Sequence, residues 1–199
     1  CKDEDLEIVV NSLKKMNCKG LNITIPFKQK VFDICSEISP VAKKVKAINT
    51  LKLTNNNDWI GTNTDIDGFI YPLKNLNLVK KSSLILGSGG AARSVIQGLI
   101  ELKLSKITII SRKKNSLNEL ITNFKNDIEI EGLLSTNTEI DNLIKEADLI
   151  INTTPVGMIN TANDVEIPFG ESFWNSINSK TIVYDLIYNP SPTPFLKFC

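Results

Sequence analysis

Histidine is absent from the 199-residue sequence. That excludes a histidine general acid or base, any histidine-ligated metal, and the dehydrogenases that rely on a histidine proton donor. Arginine occurs only at Arg93 and Arg112, so lysine fills the other basic positions. Lysine plus arginine (23) nearly cancels aspartate plus glutamate (22), leaving a net charge of +1. No whole-chain field therefore draws nucleic acid or an anionic membrane, and neither is expected as a partner. No apolar run approaches the roughly 20 residues needed to cross a bilayer. Cys1, Cys18, Cys35 and Cys199 form no CxxC pair and no metal-like cluster. They suit reduced cytoplasmic thiols better than a disulfide framework, and no metal site is expected. Tyr-x-x-x-Lys is also missing, which removes the short-chain dehydrogenase arrangement.

What is present reads as a folded α/β protein. Hydrophobic residues make up 42% and charged residues 23%, which rules out a disordered chain. Residues 4–17 carry apolar side chains at helical spacing, with Gly20 as the expected stop. Residues 21–25 read as a strand, 27–38 as an amphipathic helix and 41–48 as a short helix or turn. Residues 51–53 and 59–61 flank the turn-forming Asn55-Asn56-Asn57-Asp58 and predict a hairpin. A helix is expected over 67–76. From residue 83 strands and helices alternate: strands at 83–86, 106–110, 128–131, 148–152 and 181–186, helices at 91–102, 116–125 and 140–146. That alternation predicts a doubly wound parallel sheet. Two domains are expected, residues 1–66 and residues 67–199, the second a Rossmann-like nucleotide-binding domain.

The run Leu84-Ile85-Leu86-Gly87-Ser88-Gly89-Gly90-Ala91 sets a glycine-rich turn between a strand and a helix. Glycine there permits a tight turn and lets backbone N–H groups approach a pyrophosphate, and the helix N-terminus adds partial positive charge. At the end of the next strand an NAD site usually carries an acid for the ribose hydroxyl. This chain has Ser111-Arg112-Lys113-Lys114 instead. A guanidinium there can hold a 2′-phosphate through charge-assisted bonds worth roughly 1.5–3 kcal/mol each, so NADP is expected over NAD.

The first third carries polar residues where packing wants none: Asn22 to Lys28, Ala47 to Thr50, and Gly61 to Phe69. Together they could converge on one polyhydroxylated small molecule. Each alone has an ordinary explanation; Asp65, for instance, could cap the helix that follows. Seven ordered segments then resemble the shikimate dehydrogenase family: GLNITIPFKQK (20–30), AINTL (47–51), GTNTDIDGF (61–69), GSGGAAR (87–93), SRK (111–113), NTTPVGM (152–158) and YDLIYNPSPTPFL (184–196). The resemblance implies an NADP-dependent enzyme reducing 3-dehydroshikimate to shikimate. It implies Lys28 as the catalytic lysine, Asp65 as its partner, and Thr24, Asn49 and Tyr188 at the substrate. Gly87, Ser88, Gly89, Gly90 and Ala91 would line the pyrophosphate. Ser111, Arg112 and Lys113 would face the 2′-phosphate. Thr153, Thr154, Met158 and Leu186 would border the nicotinamide half. A quinate/shikimate dehydrogenase and a non-catalytic NADP-binding protein of the same fold are the alternatives.

Two positions depart from the family pattern. Lys46 stands where the family has glycine, and Ser111 where it has asparagine. The chain opens at Cys1 within a helical pattern and ends at Cys199 in an apolar segment, so a piece of a longer polypeptide is expected. Such a polypeptide could be one module of a larger aromatic-pathway protein. The family's substrate-binding serine pair and glutamine would lie outside residues 1–199. These residues alone are expected to bind cofactor without competent catalysis.

Overall fold

The computed structural model describes residues 2–24, 26–137, 139–159 and 166–199. The chain divides into two compact units, residues 1–74 with 93–98, and residues 75–92 with 99–199. Sequence reading puts the boundary after Ile66; the compact units part after Lys74. The helix expected over 67–76 is shorter and earlier, at Asp65–Ile70, and its Phe69 is buried with the first unit.

The first unit holds a four-stranded mixed sheet of β1 (Gly20–Asn22), β2 (Glu37–Ile38), β3 (Thr50–Leu53) and β4 (Trp59–Thr62), in the order β1-β3-β4-β2. The expected hairpin is β3–β4, antiparallel with Leu51 opposite Gly61. Helices α1 (Leu6–Lys15), α2 (Pro40–Val45) and α3 (Asp65–Ile70) complete it. Its core gathers Leu6, Val10, Val31, Ala42, Ile48, Leu51 and Trp59.

Two expectations change here. Helix α1 is stopped by Asn17, which takes a left-handed conformation (φ 60°) while the Cys18 N–H reaches back to the Leu13 carbonyl (3.0 Å). Gly20 instead begins β1. Residues 27–38 are not one helix but two 3-10 turns, Phe27–Gln29 and Phe32–Ile34, followed by β2. The Lys28 carbonyl accepts the Ile48 N–H (2.7 Å), a long-range partner in place of the residue-32 N–H that an α-helix would supply. Lys46 ends α2 in the left-handed region, φ 52° and ψ 43°. That conformation is one glycine adopts without steric cost and lysine does not.

The second unit is a five-stranded parallel sheet of β5 (Ser82–Leu86), β6 (Lys106–Ser111), β7 (Glu129–Leu134), β8 (Leu149–Asn152) and β9 (Ile182–Asp185). The order is β7-β6-β5-β8-β9, a Rossmann-like arrangement in which strand addition switches from one side of β5 to the other between β7 and β8, all strands staying parallel. Connecting helices are α4 (Gly90–Glu101), α5 (Lys114–Phe124) and α6 (Ile140–Glu146), with α7 (Pro194–Phe198) after β9. β5, β6 and β8 are buried almost end to end, as strands covered on both faces are. Trp174 and Phe195 pack with Leu86, Ile110, Ile144 and Ile150 on one face. No helix among the described residues is long and apolar enough to cross a membrane.

Candidate active site

In the first unit three separate segments meet. Lys28 rides on the 3-10 turn that begins as the Phe27 N–H bonds to the Thr24 carbonyl (2.9 Å). Asn49 lies between α2 and β3, its backbone tied to Ile23 (2.7 Å) and Thr62 (3.1 Å). Asp65 is the first residue of α3, and its N–H donates to Asn63 Oδ1 (3.0 Å). Asn63 is buried and anchored in turn to the Ala47 carbonyl (3.0 Å) and the Ser94 hydroxyl (3.1 Å).

The side chains then interlock. Lys28 Nζ sits 2.7 Å from Asp65 Oδ2, with the lysine side chain 14% and the aspartate 33% exposed. Asn49 Nδ2 donates to Asp65 Oδ1 (2.6 Å) and to the Thr64 hydroxyl (3.0 Å). Asn49 Oδ1 accepts the Thr64 N–H (2.9 Å) and the Thr50 hydroxyl (2.9 Å). Asp65 does not cap its helix with its side chain: the carboxylate is committed to Lys28 and Asn49. Short, charge-assisted contacts of this kind hold an ammonium in one place. An ammonium has three N–H donors and Asp65 takes one. The pair can therefore give a proton to a developing alkoxide while the carboxylate accepts from a neighbouring hydroxyl. Thr24 is exposed beside this turn, and both amide hydrogens of Asn49 point at Thr64 and Asp65.

The second unit offers a different kind of site. Gly87 follows β5 with φ +99°, and a Cβ there would come within 2.9 Å of the Thr153 hydroxyl. That hydroxyl is fastened to the Leu86 carbonyl (2.7 Å). Gly87 is thus required by the fold itself. Gly89 is not: it lies in open space, and what its missing side chain spares is room above the N-terminal end of α4. The Ser88 hydroxyl sits 2.7 Å from both Ser111 and Ser116, and Ser111 Oγ accepts the Lys113 N–H (3.1 Å). Arg112 and Lys113 are exposed, whereas Ser111 is buried beneath them. Arg112 also lines a cavity of about 380 Å³ with Thr154, Val156 and the segment 166–171. A glycine turn, a helix N-terminus and an arginine without a nearby strand-end acid fit an NADP molecule.

Some site residues give no signal in the sequence. Thr64 and Asn63 sit inside a quoted motif, but their work is visible only as hydrogen bonds. Ser116 lies on an amphipathic helix among ordinary polar residues. Of the remaining expected residues, Tyr188 is 89% and Met158 43% exposed, and Leu186 is half-buried in the loop after β9.

Residues 1–51 match the model of the shikimate dehydrogenase substrate binding domain, and residues 70–167 that of shikimate / quinate 5-dehydrogenase. The chain is 89% identical, over 199 residues, to the shikimate dehydrogenase (NADP(+)) of Prochlorococcus marinus subsp. pastoris, covering 100% of this chain and 70% of that protein. It is similar to the crystal structure of shikimate dehydrogenase from Aquifex aeolicus, with 30% identity and a TM-score of 0.83, over 100% of this chain and 68% of that one. A shikimate dehydrogenase solved in complex with NADP+ aligns at 29% identity and a TM-score of 0.81, over 99% of this chain and 67% of that one.

Proposed function

The chain belongs to the shikimate dehydrogenase family, and on that premise we propose that Lys28 and Asp65 are the acid–base pair of its reaction. That reaction is the NADP-dependent, reversible reduction of 3-dehydroshikimate to shikimate. The bound cofactor supplies the hydride. The observation that carries the proposal is the 2.7 Å Lys28–Asp65 contact, braced by Asn49. In the reducing direction the Lys28 ammonium stabilises and protonates the oxyanion that forms at the carbonyl. Asp65 keeps that ammonium oriented and accepts from a substrate hydroxyl. Asn49 holds Asp65, and Thr24 stands exposed for a second hydroxyl.

Arg112 and Lys113 would hold the adenosine 2′-phosphate. Ser111 supports that turn from below by accepting the Lys113 N–H. Gly87 to Ala91 would receive the pyrophosphate at the start of α4. Thr154, Leu186 and Met158 are assigned to the nicotinamide side of the cofactor, at the carboxyl ends of β8 and β9. Thr153 acts indirectly, by fixing Gly87. Tyr188 is assigned to the substrate. We also infer a cytoplasmic location, which the free thiols of Cys18, Cys35 and Cys199 support.

Lys28→Ala in the full-length enzyme tests the central claim. NADP+ reduction by shikimate, followed by nicotinamide absorbance, should fall about 10²–10⁴-fold in kcat while NADPH affinity stays within twofold. An undiminished kcat would remove Lys28 from the chemistry.

A further inference from the structure

Asp185 closes β9 and takes no part in the chemistry assigned above. Its Oδ1 accepts the side-chain amide of Asn152 (2.9 Å) and the Ile187 N–H (3.1 Å); its Oδ2 accepts the Thr193 hydroxyl (2.7 Å). Each donor belongs to a different segment. Asn152, fully buried, ends β8, and its own Oδ1 accepts the N–H (2.9 Å) and hydroxyl (2.7 Å) of Thr154. Ile187 lies in the loop that carries Leu186 and Tyr188. Thr193 caps α7 by accepting the Leu196 N–H (3.2 Å). The β8–β9 ladder pairs Asn152 with Asp185, and the Leu186 N–H adds a bond to the Asn152 carbonyl (3.1 Å). Beyond that point the two chains diverge, and the carboxylate takes over from backbone pairing.

A charge is a costly connector in a half-buried place. Burial pushes the Asp185 carboxyl above the ordinary carboxylate range, against the bonds from Thr193, Ile187 and Asn152 that favour its ionised form. All three donors aim at acceptor oxygens, which an aspartate supplies and an apolar side chain does not.

We propose that Asp185 is a positioning residue for the dehydrogenase reaction, holding the Asn152–Thr154 turn and the Leu186–Tyr188 loop in one fixed arrangement. The inference rests on the reading above that Thr154 and Leu186 border the cofactor. A displacement of about 1 Å at such a surface is worth about 10²-fold in rate, while Arg112 and Lys113, which follow β6, keep their own backbone anchors.

The test uses Asp185→Ala, Asp185→Asn and Thr193→Val in the full-length enzyme. Asp185→Ala should lower kcat about 10²-fold with KM for NADP+ within about threefold, and should dim the fluorescence of bound NADPH. Binding of adenosine 2′,5′-bisphosphate, which lacks the nicotinamide, should stay within about twofold. Asp185→Asn should recover most of the rate, because its amide oxygen still accepts from Asn152 and Ile187. The proposal is overturned if Asp185→Ala keeps its kcat. It is equally overturned if Asp185→Asn folds but is as slow as Asp185→Ala, since charge and not geometry would then be needed. Should Asp185→Ala fail to fold, Thr193→Val decides: a kcat loss of about tenfold with intact bisphosphate binding supports the proposal, and an unchanged kcat overturns it. Failure of the Lys28 assignment reads out separately, as surviving activity in Lys28→Ala.

Discussion

The two units build their sites by opposite means. The first assembles Lys28, Asn49 and Asp65 from three separated segments, a 3-10 turn, a loop and the first residue of a helix, and every atom proposed to act is on a side chain. The second presents backbone: a glycine turn, the start of a helix and a strand end, with Arg112 as the principal side chain. A side-chain site depends on a chain of hydrogen bonds, each replaceable by mutation. A backbone site depends on conformation, and only residues that alter φ/ψ or fill the open space should disturb it.

That contrast can be broken at several points. The largest effect is expected from Asp65→Ala, which leaves the partly buried Lys28 ammonium without its counter-charge. kcat should fall about 10²–10⁴-fold while NADPH titration is unchanged, and a parallel loss of cofactor affinity would show that the two sites are not separable in this way. Arg112→Ala should do the reverse. NADPH affinity should drop about 10–100-fold, the size of one or more lost charge-assisted bonds, with NADH affinity unaltered when both are measured by fluorescence.

The two loop glycines should separate. Gly87→Ala forces a non-glycine residue into φ +99° against Thr153, so a melting experiment should show about 1–2 kcal/mol of lost stability. Gly89→Ala should leave the melting temperature alone and weaken NADPH binding, because its Cβ intrudes only on the ligand's space. The smallest effect is expected at Lys46→Gly. Relief of a left-handed lysine, worth about 1–2 kcal/mol, is partly offset by the extra freedom of glycine in the unfolded chain. The net gain should be about 0.5–1 kcal/mol, or a melting temperature higher by about 1–4 °C. No gain would mean that the Lys46 side chain makes a compensating contact.

Legibility followed the same division. In the second unit the strands β5, β6 and β8 and the helices α4 and α6 lie within a few residues of where hydrophobic runs and glycine placement put them. Strands buried on both faces leave a continuous apolar run, and a βα turn leaves its glycines, so local sequence carries the signal. Residues 27–38 misled because Phe27, Val31, Phe32 and Ile34 have helical spacing yet face a core built by distant residues. Gly20 misled because Asn17 could make the same left-handed turn earlier. Asn49 was legible as a polar residue in a motif; its bonds to Asp65 and Thr64 were not.

By itself the sequence determined the chemistry available to this protein. With no histidine, proton donation falls to other side chains, among which a lysine is a candidate, and with no acid after β6, a basic turn favours the phosphorylated cofactor. It also determined the alternation that yields a parallel sheet, since strand and helix periods are local properties. Only the tertiary structure decided which polar groups share hydrogen bonds. Lys28 and Asp65 are 37 residues apart, and Asn152 and Asp185 33 apart. Whether such side chains meet depends on strand order and register, and those are settled by burial of the whole core rather than by any neighbouring residue.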